Sequence, residues 1–361
     1  MTMFDALPEQ LEAKALLSAA LAEGPAHAYL LHGPPGVGKR ELALLFAAEV
    51  LGDHARVSRR SHPDLYVLEP LGDQIRIDDI RELRRDLHMR PFEASRRVYL
   101  IFGADTMNED AADALLKDLE EPPPYAVILL IANDIGPLSE TIRSRCQPVP
   151  FRRLSERALR EAIRARAPEL PDKEVTTLSR VAGGRLDRAA RLLDPAAAAR
   201  REALLGVARA VYLDPEFDAG DAAETLLAGI AERGGEAKER AEDSVTLLEL
   251  SGREAEQRVR RAQRGAERDE LLAVLEELEW WYRDLVVLAA GAEAAVVHVD
   301  RLEELRADAT LERLWAAEAA CEAVRAAWRQ AEELQLATPL ALEALLVRLR
   351  RELAGPALAR S

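Results

Sequence analysis

Seven consecutive residues, Gly33-Pro34-Pro35-Gly36-Val37-Gly38-Lys39, have the types and spacing to hold a phosphate. Glycines at 33, 36 and 38 let backbone N–H groups turn inward towards an anion, and a helix beginning there adds its positive N-terminal end. The Lys39 ammonium would neutralise the β- and γ-phosphates. The residue after it breaks the pattern. Magnesium chemistry needs Ser or Thr there, whose hydroxyl holds the ion. Position 40 is Arg, which offers no acceptor and carries a positive charge. A hydrolysing site also needs an acidic pair at the end of a following strand. The strand pattern Val98-Tyr99-Leu100-Ile101-Phe102-Gly103 puts Phe102 and Gly103 in those places, with Asp105 two residues beyond as a turn or cap residue. Two independent magnesium-handling features are missing, so the site is expected to be degenerate: ATP or ADP could sit on the loop without being cleaved, and no cofactor is required.

The elements that must carry this loop are legible over the first 150 residues. Ala28-Tyr29-Leu30-Leu31 is a short apolar run directly before the loop, and Leu42, Leu45, Phe46 and Val50 space a helix directly after it. Leu65–Leu68, Val98–Ile101 and Val127–Ile131 are further continuous apolar runs, the pattern of strands covered on both faces of a parallel sheet. Leu11, Lys14, Ala15, Ser18 and Leu21 mark a first helix. Ile80, Leu83 and Leu87 mark another. A third, with Ala112, Leu115, Leu116 and Leu119, is stopped by Pro122-Pro123-Pro124. The fold class is α/β: a parallel sheet with covering helices, then a small helical lid and an all-α region. The expected domains are residues 1–152, 153–205 and 206–361. Residues 155 to 193 read as short helices broken at Pro168, Pro171 and Gly183-Gly184. The stretch from 236 to 270 reads as charged, solvated helix, with sparse apolar marks that include Leu247, Leu248 and Leu250.

Composition bounds the function. The 361 residues carry 49 Lys and Arg against 64 Asp and Glu, a net charge of −15, so a nucleic-acid grip spread over the whole surface is excluded. No apolar run approaches the ~18 residues of a membrane span. Met1 to Gln10 holds two acids and no Lys or Arg, which does not read as a signal peptide. Cys146 and Cys321 are the two cysteines, too few for a disulfide scaffold or a four-cysteine metal site. No membrane partner is expected, and the setting is cytoplasmic.

Four stretches in series resemble a known family: His27 to Lys39, His62-Pro63-Asp64-Leu65, Ala114-Leu115-Leu116-Lys117-Asp118-Leu119-Glu120-Glu121-Pro122-Pro123, and Thr141-Ile142-Arg143-Ser144-Arg145-Cys146. Together they are similar to bacterial DNA polymerase III clamp-loader subunits of the AAA+ class, with good coverage to about residue 193. Leu340-Ala341-Leu342-Glu343-Ala344-Leu345-Leu346 resembles the closing helix of the delta-prime type. The degenerate loop beside an intact Ser-Arg-Cys motif also resembles that type. The hydrolysing gamma/tau type would need Ser or Thr at 40, an acidic pair at 102 and 103, and usually a cysteine-rich zinc insertion near 50–65. His54 and His62 occur there without cysteine, and no zinc is expected.

The resemblance implies roles by position. Arg145 matches an arginine finger given in trans to a neighbouring gamma/tau ATP site. Gly33, Gly36, Gly38 and Lys39 match the nucleotide loop, and Asn133 the sensor of the γ-phosphate. Asp187 stands where active subunits place arginine, with Arg188 one residue late. Implied partners are gamma/tau and delta subunits and, through the complex, the sliding clamp and primed DNA. No intrinsic catalysis is implied; the chain would be a subunit of the DNA polymerase III holoenzyme. The alternative is a hydrolysing clamp-loader or other P-loop ATPase. Trp280, Trp281, Tyr282, Trp315 and Trp328 suit either interface anchors or packing inside the helical region.

Overall fold

The computed structural model describes residues 4, 7–70, 74–247, 252–333 and 338–354. They divide into two compact units: Met1–Leu170 with Ala182–Ala189, and Pro171–Val181 with Ala190–Ser361.

The first unit is an α/β domain built on five parallel strands. These are β1 (Ala28–His32), β2 (Leu65–Leu68), β3 (Arg97–Phe102), β4 (Ala126–Ala132) and β5 (Gln147–Pro150), in the order β2-β3-β4-β1-β5. Every residue of β3 and β4 is buried, as continuous apolar runs require. β2 differs from expectation: it lies at the edge, and only Leu68 is buried.

Helices cover both faces. α1 (Leu11–Glu23), α2 (Lys39–Leu51) and α3 (His54–Ser58) precede β2. α4 (Ile77–Leu87) follows it and α5 (Glu109–Glu120) follows β3. On one face Ile80, Leu83 and Leu87 of α4 and Leu115 and Leu119 of α5 pack with Tyr99, Ile101, Ile128 and Leu130. On the other, Phe46 of α2 meets Tyr29 edge to face at 5.5 Å between ring centroids. α1 turns differently from the expected stripe. Its buried residues are Ala13 and Leu17, while Leu11 is 79% exposed.

β5 was not legible in the sequence. Gln147-Pro148-Val149-Pro150 has one apolar aliphatic residue and two prolines, which cannot donate to a ladder. They are tolerated because β5 is an edge strand pairing only with β1. A one-turn helix, α6 (Glu140–Arg143), leads into it. Three short helices follow: α7 (Glu156–Arg166), α8 (Asp172–Val181) and α9 (Leu186–Leu193).

The second unit is helical. α10 (Pro195–Leu213) starts cleanly because Pro195 needs no N–H partner and Asp194 accepts from Ala197 N–H at 2.9 Å. α11 (Ala219–Leu247) and α12 (Gly252–Ala289) pack together, with Gly234 against the Glu267 side chain. Leu248 and Leu250 lie outside the described residues. α13 (Leu302–Asp308), α14 (Leu314–Glu333) and α15 (Thr338–Leu353) complete the unit. Trp281 and Tyr282 are core residues at 1% and 0% exposure, whereas Trp315 is 75% exposed.

Candidate nucleotide-loop and arginine-finger sites

The glycine loop leaves β1 near the centre of the sheet and enters α2, the position where open parallel sheets bind ligands. Its backbone takes a positive φ at all three glycines. Gly33 has φ 137°, and a side chain there would strike the Phe151 carbonyl oxygen at 2.3 Å. Gly36 has φ 70°, and a side chain there would strike an oxygen of Asp187 at 1.9 Å. The Asp187 carboxylate therefore lies directly on the loop. Leu186 N–H, at the start of α9, donates to the Gly36 carbonyl at 2.7 Å and ties the two segments. Gly38 is the left-handed residue before α2.

Lys39 is turned back on the loop. Its ammonium donates to the carbonyls of Gly33 at 2.6 Å and Pro34 at 2.5 Å. Burial brings its pKa down from 10.5 to about 8, against the partial attraction of Asp105 and Asp187.

The metal side is filled by other groups. The Arg40 guanidinium lies 4.0 Å from the centroid of the Phe102 ring. Glu69 pairs with Arg40 and, at 2.8 Å, with Arg60. Two arginines and an aromatic ring do not fit a magnesium ion, and the Glu69 carboxylate beside them is already neutralised. Asp105 is a capping residue: one oxygen accepts the backbone N–H groups of Asn133 and Asp134, both at 3.1 Å. Asn133 thus sits just past β4, exposed, with its backbone held by Asp105.

Arg145 stands apart from this loop, just after α6. Its Nη1 donates to the Thr141 carbonyl at 2.9 Å, and its Nη2 is bonded to Glu120 at the end of α5. Its side chain is 31% exposed. Cys146 beside it is buried, and burial pushes its thiol up to about 12, as befits a small apolar filler.

A family model described as "DNA polymerase III, delta subunit" matches residues 9–155. Subunit delta' of DNA polymerase III from Pseudomonas aeruginosa is 37% identical over 178 residues, covering 44% of this chain and 53% of that one. The delta' subunit of Bacillus subtilis is 34% identical over 149 residues, covering 38% of this chain and 45% of that one. The chain thus spans about half the length of the curated relatives it matches. A solved DNA polymerase III gamma subunit-related protein from Thermotoga maritima covers 94% of the chain and 99% of its own at 18% identity, with a TM-score of 0.44. The region matched by the family model includes the loop, Asn133 and Arg145, but not Asp187.

One functional detail escaped the sequence reading. The His62-Pro63-Asp64-Leu65 stretch carries a buried acid that builds the approach to β3. Asp64 accepts backbone N–H groups from Phe92 at 2.6 Å, Glu93 at 2.9 Å and Ala94 at 2.8 Å. Only folding brings residue 64 to residues 92–94. His62 Nδ1 accepts from Asp64 N–H at 3.1 Å, and its Nε2 lies 3.2 Å from the Glu93 carboxylate. Among the described residues no group of three or more His, Cys, Asp or Glu is placed to hold a metal ion. Among them, too, no helix is long and apolar enough to cross a membrane.

Proposed function

We propose that this chain is a delta-prime-type, non-hydrolysing subunit of a replicative clamp loader. It braces the ring beside gamma/tau and delta subunits and gives Arg145 to the ATP site of a gamma/tau neighbour. ATP held by that neighbour drives loading of the sliding clamp on primed DNA in the cytoplasm. The observation that carries the reading is the contact between Arg40 and Phe102, which fills the place of the metal ligands with groups unable to bind a cation. Arg145 supports its second half: a guanidinium offers rigid paired donors to charge developing on a γ-phosphate. The loop needs no nucleotide for this role, and ATP or ADP reaching it would not be cleaved.

The test is turnover. The isolated chain should hydrolyse ATP no faster than buffer. Added to gamma/tau and delta subunits, it should complete a DNA-stimulated ATPase that Arg145→Ala lowers without preventing assembly. Turnover by the isolated chain that disappears on Lys39→Ala would overturn the reading.

A further inference from the structure

Glu120 and Arg145 are far apart in sequence and are joined across the α/β domain by an ion pair. α5 ends at Glu120, because Glu121 and the three prolines after it cannot continue the helix. A carboxylate in a last helical turn faces the negative end of the helix dipole. Glu120 is therefore poorly placed for its own helix, and Arg145 is its counter-charge.

The pair also fixes how the guanidinium is turned. Nη1 is used by the Thr141 carbonyl at 2.9 Å and the Ser144 hydroxyl at 3.4 Å, and one Nη2 hydrogen by Glu120. The Nε–H has no acceptor among the described residues, and together with Nη2 it forms the side-on edge of the guanidinium, the edge that can grip two oxygens of a phosphate. Thr141 and Ser144 are local and travel with Arg145. Among the described residues, Glu120 is the partner that registers the guanidinium against a different element.

We propose that Glu120 is a positioning residue for Arg145, holding the guanidinium so that its Nε/Nη2 edge faces a phosphoryl group bound by an adjoining subunit. This rests on the arginine-finger reading above. A half-exposed ion pair of this kind adds little to folding stability, so its effect should appear in turnover.

The experiment uses the assembled loader, this chain with gamma/tau and delta subunits, stimulated by primed DNA and clamp. ATP turnover is compared for wild type, Glu120→Ala, Glu120→Asp, Arg145→Ala and the Glu120→Ala/Arg145→Ala double variant. Melting temperature and assembly are measured for each. Glu120→Ala should lower kcat about three- to tenfold with KM for ATP within about twofold, the mark of lost orientation. Glu120→Asp should recover most of that loss, and the double variant should be no slower than Arg145→Ala. Wild-type turnover in Glu120→Ala while Arg145→Ala is slow overturns the positioning role and leaves the finger standing. A loss in Glu120→Ala that tracks a lower melting temperature or failed assembly also overturns it. Unchanged turnover in Arg145→Ala overturns the finger reading and this proposal with it.

Discussion

The guanidinium of Arg40 rests 4.0 Å above the ring of Phe102, so the two positions that would hold and flank a magnesium ion hold each other instead. Each substitution makes sense of the other. An arginine in place of a hydroxyl needs an electron-rich surface, and Phe102, otherwise buried, provides its face. Repairing one position alone should therefore achieve nothing. Arg40→Thr should leave ATP turnover at background, because Phe102 and Gly103 still supply no carboxylate. Phe102→Ala should cost about 3–5 kcal/mol of stability, as for other buried Phe truncations. A coupled ATPase assay and urea unfolding check the two.

Asp187 and Lys39 both lie against the loop, Asp187 at Gly36 and Lys39 at the Gly33 and Pro34 carbonyls. Asp187→Ala removes a negative charge lying on Gly36 and should tighten binding of ATP severalfold in a fluorescence titration. Lys39→Met should make the chain more stable at neutral pH, since a buried ammonium is replaced by an apolar chain of similar length. The sign follows from the pKa of about 8 against 10.5 unfolded. Between these values the unfolded chain binds the extra proton, so this group makes stability rise with pH. The advantage of Lys39→Met over wild type should shrink as pH climbs from 8 to 10.5, read as the difference in urea midpoint.

His298 should show the opposite pH sign. The ring is fully buried in the helical unit, with Nδ1 2.8 Å from Asp284 and Nε2 3.1 Å from Glu277. Arg201 lies beyond Glu277, bonded to it at 2.5 Å and to Asp300 at 2.7 Å. Burial opposes the charged ring, but the bonds and charges of the two acids outweigh it and hold its pKa above 6.5. Its contribution to stability is then complete below pH 6.5 and fades as pH rises through the raised value. His298→Gln should lose about 3 kcal/mol at pH 6, as for a broken buried pair. The gap to wild type should narrow by pH 9 in the same unfolding measurement.

Asp64 is the acid whose loss should be felt in the α/β domain. Burial would raise its pKa, but backbone bonds from Ala94, Phe92 and Glu93 hold it below the usual carboxylate value. Asp64→Ala should cost roughly 3 kcal/mol, because the residue leaves N–H groups without their charged acceptor. Asp64→Asn should cost less. The contribution of Asp64 is present above about pH 3.8 and is lost as pH falls through the depressed pKa, so wild type and Asp64→Ala should converge in acid unfolding.

Sequence by itself determined the parallel-sheet domain, the loop between its strand and helix, and the residues Arg40, Phe102 and Gly103 that stand where magnesium-handling groups would be. Each of these depends on local order: apolar runs, glycine spacing, and which residue follows Lys39. The Ser-Arg-Cys motif and the proline-stopped α5 were readable for the same reason. Tertiary structure decided everything that joins distant segments. Arg40 meets Phe102 because β1 and β3 sit on either side of β4. Asp187 reaches Gly36 because the start of α9 is bonded to the loop. β5 exists because an edge position excuses two prolines. Arg145 finds Glu120 because the end of α5 and the residues after α6 come together. Pairings of this kind leave no trace in periodicity or composition, since neither partner's neighbours along the chain change when the contact forms.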